Sequence, residues 1–291
     1  MKLLQVVLFL LAANISVAYS TDFLPIPTKN IVRHTYYTLS FNEDYEDANW
    51  VYYTLTDSML LHSGEKRRNK FKMDNLGFTV SAKPSDYTKS GYDRGHLCPA
   101  ADMEFNHVAV EECFLMSNIT PQVHDFNCGI WEELEKTVRK WAIQEHKLYI
   151  VTGPVFKDDK GTIGRDNVEV PGYFFKIIYD ETDEPKMIAF VFPNEKSDRP
   201  LTDFAVTVDE TEKLTGYDFF SQLPDDLENK LESKVQLAGW FPGYAPETSV
   251  GGQPETKKVH KEIYFYLMLV LVILIVVIFV YLKSRRRGVK L

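Results

Sequence analysis

The sequence predicts an α+β domain, a mixed sheet with flanking helices, over residues 21–240. Short apolar and β-branched runs punctuated by Gly and Pro point to strands. One apolar stripe at three- and four-residue spacing points to a long helix. The two kinds of element intermix without regular strand–helix–strand alternation, which argues against a doubly wound parallel sheet. The chain has 291 residues, 45% hydrophobic and 25% charged, a globular composition with enough length for one sizeable core.

The elements follow in order. Residues 50–55 are aromatic and β-branched and form a strand. Residues 148–152 form a short buried strand that stops at Gly153-Pro154. Residues 173–179 and 187–192 are two more, separated by a turn-rich stretch at 180–185. Residues 127–145 are the clearest helix, because Ile130, Leu134, Val138 and Trp141 recur along one face. Residues 209–215 and 225–237 are shorter helices.

The two ends stand apart from this body. Residues 1–20 begin with a single Lys2, continue through an apolar run and reach small residues at Ala18 and Ser20, the pattern of a secretory signal peptide. Residues 263–282 carry no charge and would span about 30 Å as a helix, the thickness of a bilayer core. Tyr264, Tyr266 and Tyr281 lie near its ends, and Lys283, Arg285, Arg286, Arg287 and Lys290 follow, as expected on the cytoplasmic side. The expected topology is a body outside the cytosol (periplasm, cell surface or secretory lumen), a flexible linker at 241–262 rich in Pro and Gly, a single-pass transmembrane helix at 263–282 and a basic cytoplasmic tail at 283–291.

Residues 21–256 hold 24 Lys and Arg against 40 Asp and Glu, a net charge of −16. Such a body does not coat nucleic acid generally, since non-specific affinity comes from basic residues meeting phosphates. A local basic rim is still available in Lys66, Arg67, Arg68, Lys70 and Lys72. Cys98, Cys113 and Cys128 are too few for a disulfide scaffold, and without a Cys-x-x-Cys pair zinc is disfavoured. A bridge between Cys98 and Cys128 would pin the two reactive segments described next.

The densest cluster of reactive residue types is Gly91-Tyr92-Asp93-Arg94-Gly95-His96-Leu97. Arg94 offers a planar, permanently charged fork for phosphate, and His96 can take a proton from water near neutrality. A second cluster, Ser117-Asn118-Ile119-Thr120-Pro121-Gln122, leads to Asn127 at the head of the long helix. Asn127 reads either as an N-cap or as an oxygen ligand for a hard cation. In a regular helix Glu135 lies about 80° around and about 12 Å along the axis from Asn127, too far to share one ion easily. It can hold waters or orient a neighbour.

Asp93-Arg94-Gly95-His96, then Ser117 to Gln122, then Asn127, Trp131, Leu134 and Glu135, resemble the DNA/RNA non-specific endonuclease family, whose ββα-metal (His-Me finger) site occurs in Serratia nuclease and endonuclease G. Arg67 to Asp74, Gly153-Pro154-Val155-Phe156 and Val170-Pro171 extend the similarity over most of residues 45–235. The resemblance implies that His96 is the general base, that Arg94 contacts phosphate, and that Asn127 is the single protein ligand of Mg²⁺, with Mn²⁺ or Ca²⁺ as possible substitutes. It implies that Glu135 organises the metal's water and that Arg67 or Arg68 binds phosphate. Asp93 reads as structural and Trp131 as core, and the sequon at Asn118 should be buried and unmodified. The expected protein is a membrane-anchored, extracytoplasmic, Mg²⁺-dependent hydrolase of DNA and/or RNA with little sequence preference. The alternatives are an inactive ectodomain that binds a partner and a phosphodiesterase for non-nucleic substrates.

Overall fold

The computed structural model describes residues 23–244, apart from 67–69, 159, 183 and 242. The strands are β1 (Ile31–Arg33), β2 (Tyr37–Asn42), β3 (Asp47–Thr56), β4 (Asp93–His96), β5 (Ile119–Gln122), β6 (Lys147–Val155), β7 (Thr162–Ile163), β8 (Val168–Glu169), β9 (Tyr173–Asp180), β10 (Lys186–Pro193) and β11 (Ala205–Val206). The helices are α1 (Asp57–Leu61), α2 (His107–Cys113), α3 (Glu132–Glu145), α4 (Val208–Thr215) and α5 (Asp225–Glu232). Seven strands form one sheet in the order β1-β2-β3-β6-β9-β10-β11, while β4 pairs with β5 and β7 with β8.

The fold is α+β as expected, but the sheet is not mixed. Every pair in it is antiparallel. The reason is local: short turns join β2 to β3 and β9 to β10, and a short connection returns the chain antiparallel, whereas a parallel pair needs a long crossover. The long excursion, between β3 and β6, carries β4, β5 and α3.

Both faces of the sheet are covered, so its strands are apolar at nearly every position rather than alternately. Val51, Tyr53, Leu55, Leu148, Ile150, Phe174, Ile178, Ile188, Phe190 and Phe192 face one core, shared with α3. Trp50, Tyr52, Tyr149, Val151, Phe175, Ile177, Tyr179, Met187 and Ala189 face a second, shared with Val208 of α4 and Leu231 of α5. Trp131 is fully buried in the first, as expected.

Two helix expectations change. The helix expected at 225–237 stops at Glu232. Leu231 is buried but Val235 is exposed, so the apolar stripe does not continue. The long helix opens with a wide π-turn, Phe126–Trp131, in which Gly129 has φ −104° and ψ −115°, and only then becomes regular at Glu132. Downstream, Phe241 and Trp240 pack on Trp141 at ring separations of 5.3 and 4.8 Å. The expected signal peptide, the expected membrane span and most of the linker lie outside the described residues. Among the described residues no helix is long and apolar enough to cross a membrane.

Candidate active site

Strand β4 is the sequence Asp-Arg-Gly-His itself, paired antiparallel to β5 with Gly95 opposite Thr120 and His96 opposite Ile119. Gly95 is required by packing: a Cβ there would overlap the side chain of the buried Gln122. We expect Gly95→Ala to destabilise the fold by about 1–3 kcal/mol through overpacking; thermal denaturation of the variant checks this.

The chain beyond His96 is clamped by Asn118. Its Oδ1 accepts from the Cys98 backbone N–H at 2.8 Å, and its Nδ2 donates to the carbonyls of Cys98 at 2.9 Å and Cys113 at 3.0 Å. Asn118 is fully buried, so the sequon is inaccessible. Ser117 donates to Asp74 at 2.5 Å, which ties the upstream segment to the turn that leads into β5.

The site side chains line one cleft of about 590 Å³: Arg94, His96, Asn127, Glu135, Arg139 and Phe71 among them. The His96 ring stands edge-on to Phe114 at 4.9 Å and 90°, with Phe71 at 5.7 Å. The Arg94 guanidinium lies 5.3 Å from the Phe71 ring centre, and its Nε and Nη2 donate to the Pro84 carbonyl at 3.2 and 2.7 Å. Two of its five N–H donors are thereby spent on orientation, which leaves three for a ligand. Phe71 thus braces both base and cation, a role with no chemical signature in the sequence.

Asp93 joins the strand to the π-turn. Its Oδ2 accepts from Asn127 Nδ2 at 2.9 Å and from His124 Nδ1 at 2.8 Å. That hydrogen bond and the charge of Asp93 hold the exposed His124 imidazole above its ordinary range. Asn127 is therefore not an N-cap. Its backbone N–H already donates to the Val123 carbonyl at 2.9 Å, one turn back. Its amide nitrogen is spent on Asp93, and its oxygen is the atom a hard cation would take. The π-turn also changes the helix phase, so that Asn127 lines the same cleft as Glu132, Glu135 and Arg139. Oxygens from Asn127 and these carboxylates fit Mg²⁺, Mn²⁺ or Ca²⁺.

Two basic residues were not singled out by the sequence: Arg139, which lines the cleft, and Lys176, which is fully buried. Arg139 lies four residues after Glu135, on the same helix face. Its Nη1 donates to Asp102 Oδ1 at 2.8 Å, and Tyr53 donates to Asp102 Oδ2 at 3.0 Å. Burial opposes the Arg139 charge, but Asp102 and Glu135 outweigh it. Lys176 is fully buried in β9, with its ammonium 4.7 Å from the Trp131 ring centre and 3.5 Å from the Leu97 carbonyl. Burial lowers its pKa against the opposing charges of Glu135 and Asp102. The i,i+4 spacing could have revealed Arg139, and a lone Lys inside an otherwise apolar strand could have revealed Lys176.

The cysteines are unbridged: Cys98 and Cys113 are buried and Cys128 is exposed, so the entertained Cys98–Cys128 bridge is absent. Cys98 belongs to the core, whereas Cys128 lines the cleft. Arg67 and Arg68 lie outside the described residues. Lys66, Lys70 and Lys72 are exposed.

Residues 19–226 match the family described as DNA/RNA non-specific endonuclease. The mitochondrial nuclease 1 of Schizosaccharomyces pombe is 37% identical over 62% of this chain and 62% of its own. The human mitochondrial nuclease EXOG is 34% identical over 67% of this chain and 59% of its own. This chain thus spans about six-tenths of the length of those two relatives. A nuclease of Nostoc is 34% identical over 78% of this chain and 85% of its own. A solved structure of an EndoG/EndoGI complex superposes with a TM-score of 0.63 at 31% identity, covering 67% of this chain and 87% of that one.

Proposed function

The chain belongs to the DNA/RNA non-specific endonuclease family, and on that premise we propose that it hydrolyses phosphodiester bonds in DNA and/or RNA with little sequence preference, using a divalent cation. The observation that carries this reading is the convergence of His96, Arg94, Asn127 and Glu135 on one cleft. His96, held by Phe114 and Phe71, takes the proton of the attacking water. Arg94 and Arg139 present N–H donors to the phosphate oxygens, and Arg67 or Arg68 adds to them. Asn127 would hold Mg²⁺ by its amide oxygen, with Glu135 orienting the surrounding water. When bound, the cation supplies charge neutralisation at the scissile phosphate and leaving oxygen. Contacts of this kind address the backbone rather than base edges, which accounts for weak sequence preference.

Incubating the protein with plasmid DNA and with RNA, with Mg²⁺ and with chelator, tests the proposal. Cation-dependent cleavage of either supports it. No cleavage of either substrate favours a binding ectodomain or a small-substrate phosphodiesterase instead. Asp93→Ala is expected to weaken the apparent Mg²⁺ affinity about 10–100-fold, because Asp93 orients the Asn127 amide from behind. A Mg²⁺ titration of the cleavage rate reads this directly.

The membrane anchor and the extracytoplasmic placement belong to the same proposal and rest on residues 1–20 and 263–291 of the sequence. Two of the relatives named above are mitochondrial, so the alternative is an organelle membrane. Protease treatment of intact cells, which should remove the body and leave an anchored stub, separates the two.

A further inference from the structure

On the far side of the sheet from the cleft, three carboxylates converge where α4 meets α5. One oxygen each from Asp209, Glu212 and Glu232 lies within 4.8 Å of the other two. Two oxygens bound to one Ca²⁺ at 2.3–2.6 Å sit at most about 5 Å apart, so a single ion can span this arrangement. Among the described residues, no lysine, arginine or histidine forms an ion pair with any of the three. Glu212 is fixed by the Phe219 backbone N–H, which donates to its Oε1 at 2.9 Å.

Glu232 gives the second, separate indication. It is only 5% exposed, and its Oε1 is buried with no hydrogen-bond partner. A buried carboxylate oxygen left without a donor is costly and calls for a ligand. Its neighbours worsen the cost. Burial, then Glu212, Glu228, Asp209 and Asp218, push its carboxyl up to about 9.

The structure assigns a Ca²⁺ site to Asp209, Glu212 and Glu232, with water completing the shell. The donors are all hard oxygens, which excludes the softer transition metals as the preferred occupant. Ca²⁺ suits them better than Mg²⁺. Side chains delivered by two separate helices give irregular geometry, whereas Mg²⁺ demands a near-ideal octahedron at 2.0–2.1 Å. The site is separate from the catalytic one: Val208 and Leu231 pack into the second core, whereas α3, which carries Glu135 and Arg139, packs into the first. The ion would staple α4 to α5 and stabilise that layer without entering the reaction.

The test uses the full chain, stripped with chelator and titrated with CaCl₂, following bound Ca²⁺ by equilibrium dialysis and Tm in parallel. Wild type should rise in Tm by about 5–10 °C at a hundredfold excess of Ca²⁺ over Kd. Asn127→Ala should keep that rise. Glu212→Gln combined with Glu232→Gln should lose one bound Ca²⁺ per chain and the rise with it. Its Tm in chelator should equal or exceed that of wild type, because neutral amides replace two of the crowded carboxyl groups, and its cleavage rate in Mg²⁺ should be unchanged. Asp209→Asn, on the more accessible wall, should weaken Ca²⁺ binding by about tenfold and serves if the double variant does not fold. Unchanged stoichiometry and Tm rise in these variants overturn the assignment. So does a wild type that binds no Ca²⁺ beyond what Asn127→Ala removes.

Discussion

His96→Ala should lower the turnover rate by about 10²–10⁴-fold, the usual contribution of a general base. The imidazole is well placed for the task, since Phe114 and Phe71 fix its plane and the Asn118 clamp fixes the backbone that follows it. Arg94 is anchored independently on Pro84, so phosphate binding should survive the substitution. KM should therefore change much less than kcat. Only neutral imidazole accepts a proton, so the wild-type rate should fall on acidification, and this acid limb should vanish in the variant. The control is Arg94→Lys, which keeps the charge but loses the planar fork and should damage KM and kcat together. Cleavage that persists in His96→Ala at the wild-type rate, with the same pH profile, removes His96 from the reaction.

Much of this site was legible because its chemistry is carried by short runs whose local structure is simple. Asp93 to His96 is one strand, so its residues keep their order in space, and the absence of a side chain at Gly95 is explained by the Gln122 side chain packed against it. Asn127 and Glu135 were legible as types but not in their relation. Regular-helix arithmetic separates them, and nothing in the apolar periodicity of residues 130–141 discloses the π-turn at Phe126–Trp131. Arg139 and Lys176 were missed because their significance comes from tertiary partners, Asp102 and Trp131 respectively, far away in sequence. The antiparallel sheet was obscured for a related reason. Strands buried on both faces lose the alternation that marks an antiparallel strand and read like parallel ones.

The Asp102–Arg139 pair, which joins the core to the cleft wall, should give the largest loss of stability. Asp102→Ala is expected to cost about 3–5 kcal/mol, the usual penalty for leaving one partner of a buried ion pair uncompensated. For a domain of this size that is a fall of roughly 6–20 °C in Tm. The Asp102 side chain is 1% exposed and that of Arg139 is 18% exposed, so water cannot replace the lost partner fully. The reciprocal change should behave differently. In Arg139→Ala the remaining Asp102 can take up a proton and stay neutral, still held by Tyr53. Burial raises the Asp102 pKa above its ordinary value even in the wild type, with Arg139 and Lys176 opposing the rise. A carboxyl raised in this way binds its proton more tightly folded than unfolded. Its contribution to stability is therefore full below the unfolded pKa and is lost as pH climbs through the folded one. Removing Arg139 raises the folded value further and widens that window. Arg139→Ala should consequently lose stability progressively from mildly acid to neutral pH, while Asp102→Ala, with no carboxyl left there, should lack that slope. Both variants should also lose cleavage rate, since each displaces a guanidinium from the cleft wall. Joining the two substitutions should cost less than their sum, because the second removes the charge that the first left stranded. Denaturation of the two single variants and the double variant across pH 5–8 reads all of these outcomes, and strict additivity would show that the pair does not act as a unit.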